Sequence, residues 1–454
     1  MNDPSNKVEL KRQLSLFDSV CIIVGIIIGS GFYGASDLVT SQFSSLSVLI
    51  LVWILGGVIG LIGALCYAEL ATKYPGEGGD YLYLSTAYGS RMGMFFSWCQ
   101  FWIVRPGNIG AMAFVFAEYA NQIADLGENG GLIYALASVV FLTGMNSIGV
   151  RSGKLVQNLL TSVKVIGLLA IVLVTLCVAS PPADVLQRMV PVAVPDFHLA
   201  VIMVLFAYGG WNDIAFVTAE MKNPQKNIFR GLLLGVATVT TLYVLLTVAF
   251  VYAMGMAASS EGGVPANLLN LLIGDWGGII ISLLICVSCL GAMNGMIFAG
   301  ARIYYAIGCD YPNLSWLGKW NLRFDAPLRT LFVQGLVIMM LIVGLGSAGD
   351  GFKMMVFFTT PFFYFFFLLV AISLLILRGT DPKAEGYRAP FHPLMPILFA
   401  LFCLYLIYSG LLHLFKQIDP NAISFGIWWC IATIIFGMLA SLTLAKRSIP
   451  KKQA

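Results

Sequence analysis

About twelve apolar stretches, each close to the length that carries a helix through a bilayer, follow one another along this chain of 454 residues. They lie near residues 17–40, 46–71, 92–120, 132–149, 158–179, 197–219, 231–254, 277–308, 329–346, 352–377, 393–413 and 424–445. A helix satisfies its own peptide groups inside lipid, where no water can do so. A β-barrel would instead show short alternating strands. The chain is 59% hydrophobic and 11% charged, against about 25% charged for a soluble domain. It reads as an all-α integral membrane protein with 12 transmembrane helices. Residues 1–16 form a short polar tail, followed by a full span rather than by a cleaved signal peptide.

The charge distribution orients these spans. With the N-terminus inside and twelve crossings, 20 of the 26 Lys and Arg residues fall in inner segments and three, Arg188, Lys353 and Lys416, in outer ones. Arg105, Lys164 and Arg302 lie within spans. This asymmetry fits the positive-inside rule and predicts both termini on the cytoplasmic side.

Two spans are interrupted. The first contains Gly29-Ser30-Gly31, and the sixth contains Gly209-Gly210 followed by Asn212 and Asp213. Glycine costs about 1 kcal/mol relative to alanine inside a helix, so these are the places where the helices open. Small-residue packing between helices accounts for most of the 47 glycines. The matched positions and the adjacent polar groups point to something more. Broken helices five spans apart are the mark of repeated five-helix units around a ligand site at membrane depth. The units are 17–179 and 197–377, and an odd number of crossings makes the second inverted. Residues 392–445 hold helices eleven and twelve, and 446–454 form a cytoplasmic tail. Freed amide N–H groups at such breaks would grip a carboxylate, and freed carbonyls an ammonium group. The leucine-transporter fold is the known example of this scheme.

Three segments carry a family resemblance. Ile26-Ile27-Ile28-Gly29-Ser30-Gly31 is similar to the first-helix motif of the amino-acid/polyamine/organocation permeases. Ala68-Glu69-Leu70 with the run from Pro75 to Leu84 resembles their second-helix and loop signature. Phe206 to Trp211, then Asn212, Phe216-Val217-Thr218 and Glu220, resembles the L-type amino acid transporter branch. The resemblance runs from about residue 14 to the last helix. It implies a leucine-transporter-like fold with discontinuous helices 1 and 6, and sodium-independent exchange of neutral amino acids. Proton-coupled transport, or carriage of cationic amino acids or polyamines, is the alternative.

The same resemblance implies residue roles. Ser30 and Gly31 would bind the substrate carboxylate, and carbonyls of Ile27, Phe206 and Gly209 its ammonium group. Ala207 belongs to the same stretch, Phe206 would cover the pocket as an outer gate, and Asn212 would line or order it. Asp213 stands where animal relatives often have an aromatic residue. It either faces a cationic side chain or pairs with a nearby base. Phe32-Tyr33 also departs from the common Ile-Phe.

Ionisable groups inside spans are functional candidates. Arg105, followed by Pro106, is either a partner of Asp213 or of a helix-break carbonyl, or part of the permeation path. Lys164 either snorkels to the inner headgroups or sets its ammonium against the broken first helix, where sodium-coupled relatives of the fold hold an ion. Arg302 is expected to snorkel at the inner face, and Glu118 to lie near the outer end. Residues 255–276 look like an outer lid. Thr359, Thr360 and Pro361 interrupt a Phe-rich tenth span read as packing. Cys286-x-x-Cys289 lacks a redox context, so the cysteines are read as small buried hydrophobes.

Other classes fit poorly. The three histidines are scattered, and no nucleophile or metal motif appears, so neither enzyme chemistry nor a metal or other cofactor is expected. No charged ring suggests a channel. The expected partners are a small amino acid and the lipid bilayer of an inner or plasma membrane, with no nucleic acid. Segment 121–131 has no cysteine, whereas animal relatives use one there to link a glycoprotein, so no disulfide-linked heavy chain is expected.

Overall fold

The computed structural model describes residues 12–29, 31–43, 45–74, 76, 78–179, 196–258, 267–270, 274, 276–346, 351–380, 386–417 and 420–443. These residues are almost entirely helical. Their only strand-like features are isolated bridges, Leu14 with Met221 and Asn321 with Ala326.

The expected first span is two helices, α1 (Leu16–Ile27) and α2 (Gly31–Thr40). Then come α3 (Leu46–Lys73), α4 (Asp80–Tyr88) and α5 (Ser90–Cys99). A π-helical turn, Gln100–Val104, joins α5 to α6 (Arg105–Ile123). Helices α7 (Gly130–Ser147) and α8 (Val150–Val178) complete the first half. The expected sixth span is α9 (Phe197–Ala207) followed by a 3-10 helix, Trp211–Glu220. Six long helices follow: α10 (Pro224–Ala258), α11 (Trp276–Asp310), α12 (Leu328–Gly346), α13 (Gly351–Thr380), α14 (Leu394–Gln417) and α15 (Pro420–Thr443).

Ten helical segments among the described residues are long and apolar enough to cross a membrane. The expected third and twelfth spans are not among these ten: the third is built from α5, the π turn and α6, and of the twelfth Trp428–Thr443 is a shorter apolar helix. The expected outer lid lies largely outside the described residues.

Helix α8 illustrates how sequence sets orientation. Leu155, Leu159, Ile166 and Leu173 are exposed, and their spacing of four and seven puts them on one face. Gln157, Thr161, Lys164 and Thr175 are buried on the opposite face. In lipid this inverted pattern is the stable one, with apolar side chains outward and polar groups paired within the bundle. The helix starts eight residues before the expected boundary. Gly149 fixes that start with φ +137, and an added Cβ there would meet the Phe324 carbonyl oxygen at 2.2 Å.

Helix α1 is buried from Asp18 to Ile27 apart from Val20. Its entry is a capping box. Ser15 Oγ accepts from the Asp18 N–H at 3.2 Å, and Asp18 Oδ2 accepts from the Ser15 N–H at 2.7 Å. Just before it, the Gln13 and Leu14 N–H groups donate to the Glu220 carbonyl at 2.8 and 2.9 Å, and the Lys222 N–H donates to the Leu14 carbonyl at 2.8 Å. The start of one interrupted span is thereby tied to the end of the other.

Candidate functional site

The first break can be followed carbonyl by carbonyl. The last regular bond of α1 runs from the Ile28 N–H to the Val24 carbonyl at 2.9 Å. The Gly29 N–H then turns to the Ile27 carbonyl at 2.8 Å, leaving the Gly25 carbonyl without its usual helical donor. A buried carbonyl needs a partner, and the neighbouring helices supply several. Lys164 Nζ donates to the Gly25 oxygen at 2.9 Å and also to that of Ile28. Ser288 Oγ donates to the carbonyls of Ile28 and Gly29, at 2.8 and 3.2 Å.

The second break begins at Tyr208. The Gly209 N–H donates to the Phe206 carbonyl at 3.0 Å. Gly210 then takes φ +106, a left-handed value that glycine adopts without a Cβ clash. The chain continues as a ten-residue 3-10 helix, although such runs rarely exceed about four residues and often mark a functional hinge. Its first regular bond is from the Asp213 N–H to the Gly210 carbonyl, at 3.2 Å. The N–H groups of Trp211 and Asn212 come before it.

The two breaks touch. A Cβ on Gly31 would lie 2.9 Å from the Ala207 Cα, and one on Gly210 would lie 2.5 Å from Ile26 Cγ2. Tyr243 of α10 serves both. Its hydroxyl lies 2.9 Å from the Ala207 carbonyl oxygen and 3.2 Å from that of Ile27, so one hydrogen is shared between them.

Beside this junction lies a cavity with about 750 Å³ of empty space, its open mouth included. Ile27, Gly31, Phe206, Gly209, Asn212 and Asp213 all line it. Ala207 stands behind the wall, fully buried against Gly31 and Tyr243. Lys164 is likewise fully buried behind the first break. Ser30 lies outside the described residues. Phe206 is partly exposed, and its ring makes an edge contact with Phe352, centroids 6.2 Å apart.

Arg105 and Asp213 meet at the cavity wall. Nη1 donates to Oδ2 at 2.6 Å and Nη2 to Oδ1 at 2.5 Å, a bidentate pair. The Phe216 ring lies beneath the guanidinium, 4.9 Å from centroid to Cζ. Between the two alternatives left open for Asp213, it pairs with a base. Pro106 explains part of the local architecture. It has no N–H to offer the Trp102 carbonyl, and that oxygen accepts instead from the Trp429 indole at 2.8 Å.

Sequence reasoning missed several wall residues, among them Gln100, Asn108 and Met112, and gave no site role to Thr359 and Thr360. Gln100 and Asn108 flank Arg105 as polar residues inside an apolar span, a signal that could have flagged them. Arg302 requires a correction. It does not snorkel: it is 3% exposed, and Nε donates to Glu220 Oε1 at 2.8 Å while Nη1 donates to the Phe298 carbonyl at 2.5 Å. An intramembrane guanidinium is stabilised by such a partner as well as by reaching water. The cysteines are free; six are buried, but Cys177 is exposed on α8.

A bundle of apolar helices, two of them interrupted beside a central cavity, defines a multi-pass membrane protein of permease architecture. The amino acid permease family matches residues 14–441, and the chain belongs to that family. Among its relatives, the b(0,+)-type amino acid transporter 1 of Mus musculus is 27% identical over 407 residues, covering 87% of this chain and 82% of that protein. The large neutral amino acids transporter small subunit 2 of Rattus norvegicus is 28% identical over 418 residues, covering 89% and 77%. The resemblance to the L-type branch therefore stands, and the family is one of transporters rather than enzymes.

Proposed function

We propose that this chain is a sodium-independent exchanger of neutral L-amino acids. It works by alternating access around the cavity where the two breaks meet. The observation that carries the reading is their contact, Gly31 against Ala207 and Gly210 against Ile26. It gathers N–H groups at two helix starts beside carbonyls at two helix ends, the two poles that a zwitterion needs. Gly31 and Ser30 take the carboxylate. Carbonyls of Ile27, Phe206 and Gly209 take the ammonium group. Phe206 closes the outer side.

Absence of sodium coupling rests on Lys164. Its ammonium occupies the freed carbonyls of Gly25 and Ile28, where a travelling cation would otherwise sit. A neutral substrate is favoured over a cationic one because Asp213 is already engaged by Arg105. The names of the rat relative and its counterparts, which refer to large neutral amino acids, support the same choice. In this reading twelve helices cross an inner or plasma membrane with both termini cytoplasmic. Residues 17–179 and 197–377 are inverted repeats, and 392–445 add two helices. Segment 121–131, without cysteine, supports function without a disulfide-linked heavy chain.

Proteoliposomes test this directly. Uptake of labelled amino acid should rise when the lumen is preloaded with unlabelled amino acid, and should be unchanged when choline replaces sodium. Uptake that ignores preloading, or that needs a sodium gradient, overturns the reading.

A further inference from the structure

We propose that the connection between α11 and α12, residues 311–327, together with the first turn of α12, forms a docking surface for anionic phospholipid at the membrane face. Arg323 and Arg329 meet the headgroup phosphate, and Leu322 and Phe324 enter the acyl boundary below it. The surface is separate from the cavity and requires neither exchange nor substrate.

Helix α12 fixes the depth. Phe332, Leu336, Met340 and Val343 are exposed, and steps of four and three put them on one face, the face that lipid covers. Arg329 is exposed on that same face, one turn before Phe332. An arginine at the end of a lipid-facing stripe sends its charge to headgroup level. Its Nη1 donates to the Trp316 carbonyl at 3.1 Å. This is its only hydrogen bond among the described residues, so other N–H groups of the guanidinium are left for a phosphate. Trp316 is exposed beside it, and tryptophan favours the membrane–water interface.

The tip of the connection is held in shape. Asn321 and Ala326 exchange backbone hydrogen bonds at 2.9 and 3.3 Å. Asn321 Oδ1 accepts from the N–H groups of Arg323 and Phe324 at 3.0 and 3.1 Å. Asp325, the one acid of the connection, accepts from the Trp320 indole at 2.9 Å and from the Gln13 side chain at 2.8 Å. Leu322, Arg323 and Phe324 are thereby turned outward, all three exposed. Leu322 is 76% exposed, the highest value for a large apolar side chain among the described residues. The Phe324 carbonyl abuts Gly149, next to exposed Ile148 and one end of the lipid-facing stripe of α8. Helix α12 packs on α7 close by, where a Cβ on Gly335 would meet Thr143 Oγ1 at 3.0 Å. Tip and Arg329 therefore border the same stretch of bilayer.

Charge selects the lipid. Neither arginine forms an ion pair among the described residues. The Arg323 Cζ stands 5.4 Å from the Phe324 ring centroid, so cation and apolar anchor are presented together. Unpaired cations set beside exposed apolar side chains match an anionic headgroup above its acyl chain. Lys226 and Arg230 at the start of α10 are equally exposed, but no exposed large apolar side chain lies among residues 222–230.

Titration of the detergent-solubilised full chain with phosphatidylglycerol, followed by melting temperature, tests this. Phosphatidylglycerol should raise the melting temperature more than phosphatidylcholine does at equal concentration. Arg323→Gln and Arg329→Gln should each raise the concentration giving half the effect by about fivefold. Lys226→Gln and Arg230→Gln remove the same charge elsewhere and should leave the titration unchanged. Glycerol phosphate, a headgroup without acyl chains, should not stabilise the protein. The proposal is overturned by an equal response to phosphatidylcholine, by an equal loss in the α10 variants, by stabilisation with glycerol phosphate alone, or by an unchanged titration of Arg323→Gln. Arg323 makes no side-chain hydrogen bond among the described residues, so that variant decides even if Arg329→Gln fails to fold. None of these outcomes bears on amino acid exchange.

Discussion

The Lys164 ammonium lies 2.9 Å from the Gly25 carbonyl oxygen and also donates to that of Ile28. A side chain of α8 thus completes the backbone of α1 where the helix stops doing so itself. The position is fully buried, and Ser288 from α11 meets the same Ile28 oxygen at 2.8 Å.

Lys164→Ala removes this partner while Ser288 remains. The Gly25 carbonyl then lacks a side-chain donor, at a cost of about 1–3 kcal/mol, which a helical bundle survives. Exchange should fall at least about tenfold, since each 1.4 kcal/mol is a factor of ten. Circular dichroism should report unchanged helix content. Unaltered exchange kinetics would remove Lys164 from the account.

Two adjacent glycines should behave differently. A Cβ on Gly209 would meet the Phe206 carbonyl oxygen at 3.2 Å, a tight contact that a shift of a few tenths of an ångström relieves. A Cβ on Gly210 would sit 2.5 Å from Ile26 Cγ2, at φ +106. Gly210→Ala should therefore lower the melting temperature in detergent, with backbone strain alone costing about 1–3 kcal/mol. Gly209→Ala should lower it less, because no left-handed φ is involved there, and should weaken amino acid binding by narrowing the cavity. Equal effects of the two would contradict the geometry of the second break.

Tyr243→Phe tests the link between the breaks. Its hydroxyl is within 3.2 Å of both the Ile27 and Ala207 oxygens. Losing it leaves the Ala207 carbonyl without that donor and should raise the KM for exchange about tenfold, as expected for about 1–3 kcal/mol. The ring remains stacked on Phe32, centroids 4.6 Å apart, so the fold should hold. An unchanged KM would mean that the breaks are held by other contacts.

A pH effect arises just outside the spans, at the start of α4. Burial raises the Asp80 pKa to about 8, helped by the negative charge of Asp213 and opposed by Tyr67 and Arg105. The Tyr67 hydroxyl donates to Oδ2 at 3.1 Å, and Oδ1 has no hydrogen-bond partner among the described residues. The folded chain keeps this proton up to about pH 8, whereas an unperturbed carboxyl loses it near 3.8. Between those values the folded state binds more protons than the unfolded one, so stability falls as pH rises. Asp80→Asn imitates the protonated form. It should flatten the decline in melting temperature from pH 5 to pH 8. An identical slope in both proteins would show that another group carries the dependence.

Particular residues mark what the sequence made legible. Gly29-Ser30-Gly31 and Gly209-Gly210 located both interruptions, because glycine weakens a helix wherever it stands. Lys164 stood out as an ionisable group inside the fifth span. Partners distant along the chain were not. Nothing local to Arg302 reveals Glu220, 82 positions away. Tyr243 lies 36 positions from Ala207 and 216 from Ile27, so its bridging role arises only when α10 packs between the breaks. The π turn at Gln100 escaped for a related reason. Its register shift depends on packing, which periodicity along one strand of sequence does not encode.

The central claim is that exposed peptide groups of both interrupted helices hold one amino acid between them. A cryo-EM map of the protein with saturating glutamine tests it most directly. The account predicts density in the cavity with its carboxylate at the Gly31 amide and its ammonium group at the carbonyls of Ile27, Phe206 and Gly209. Ligand density elsewhere, or in the cavity but touching neither break, would contradict it.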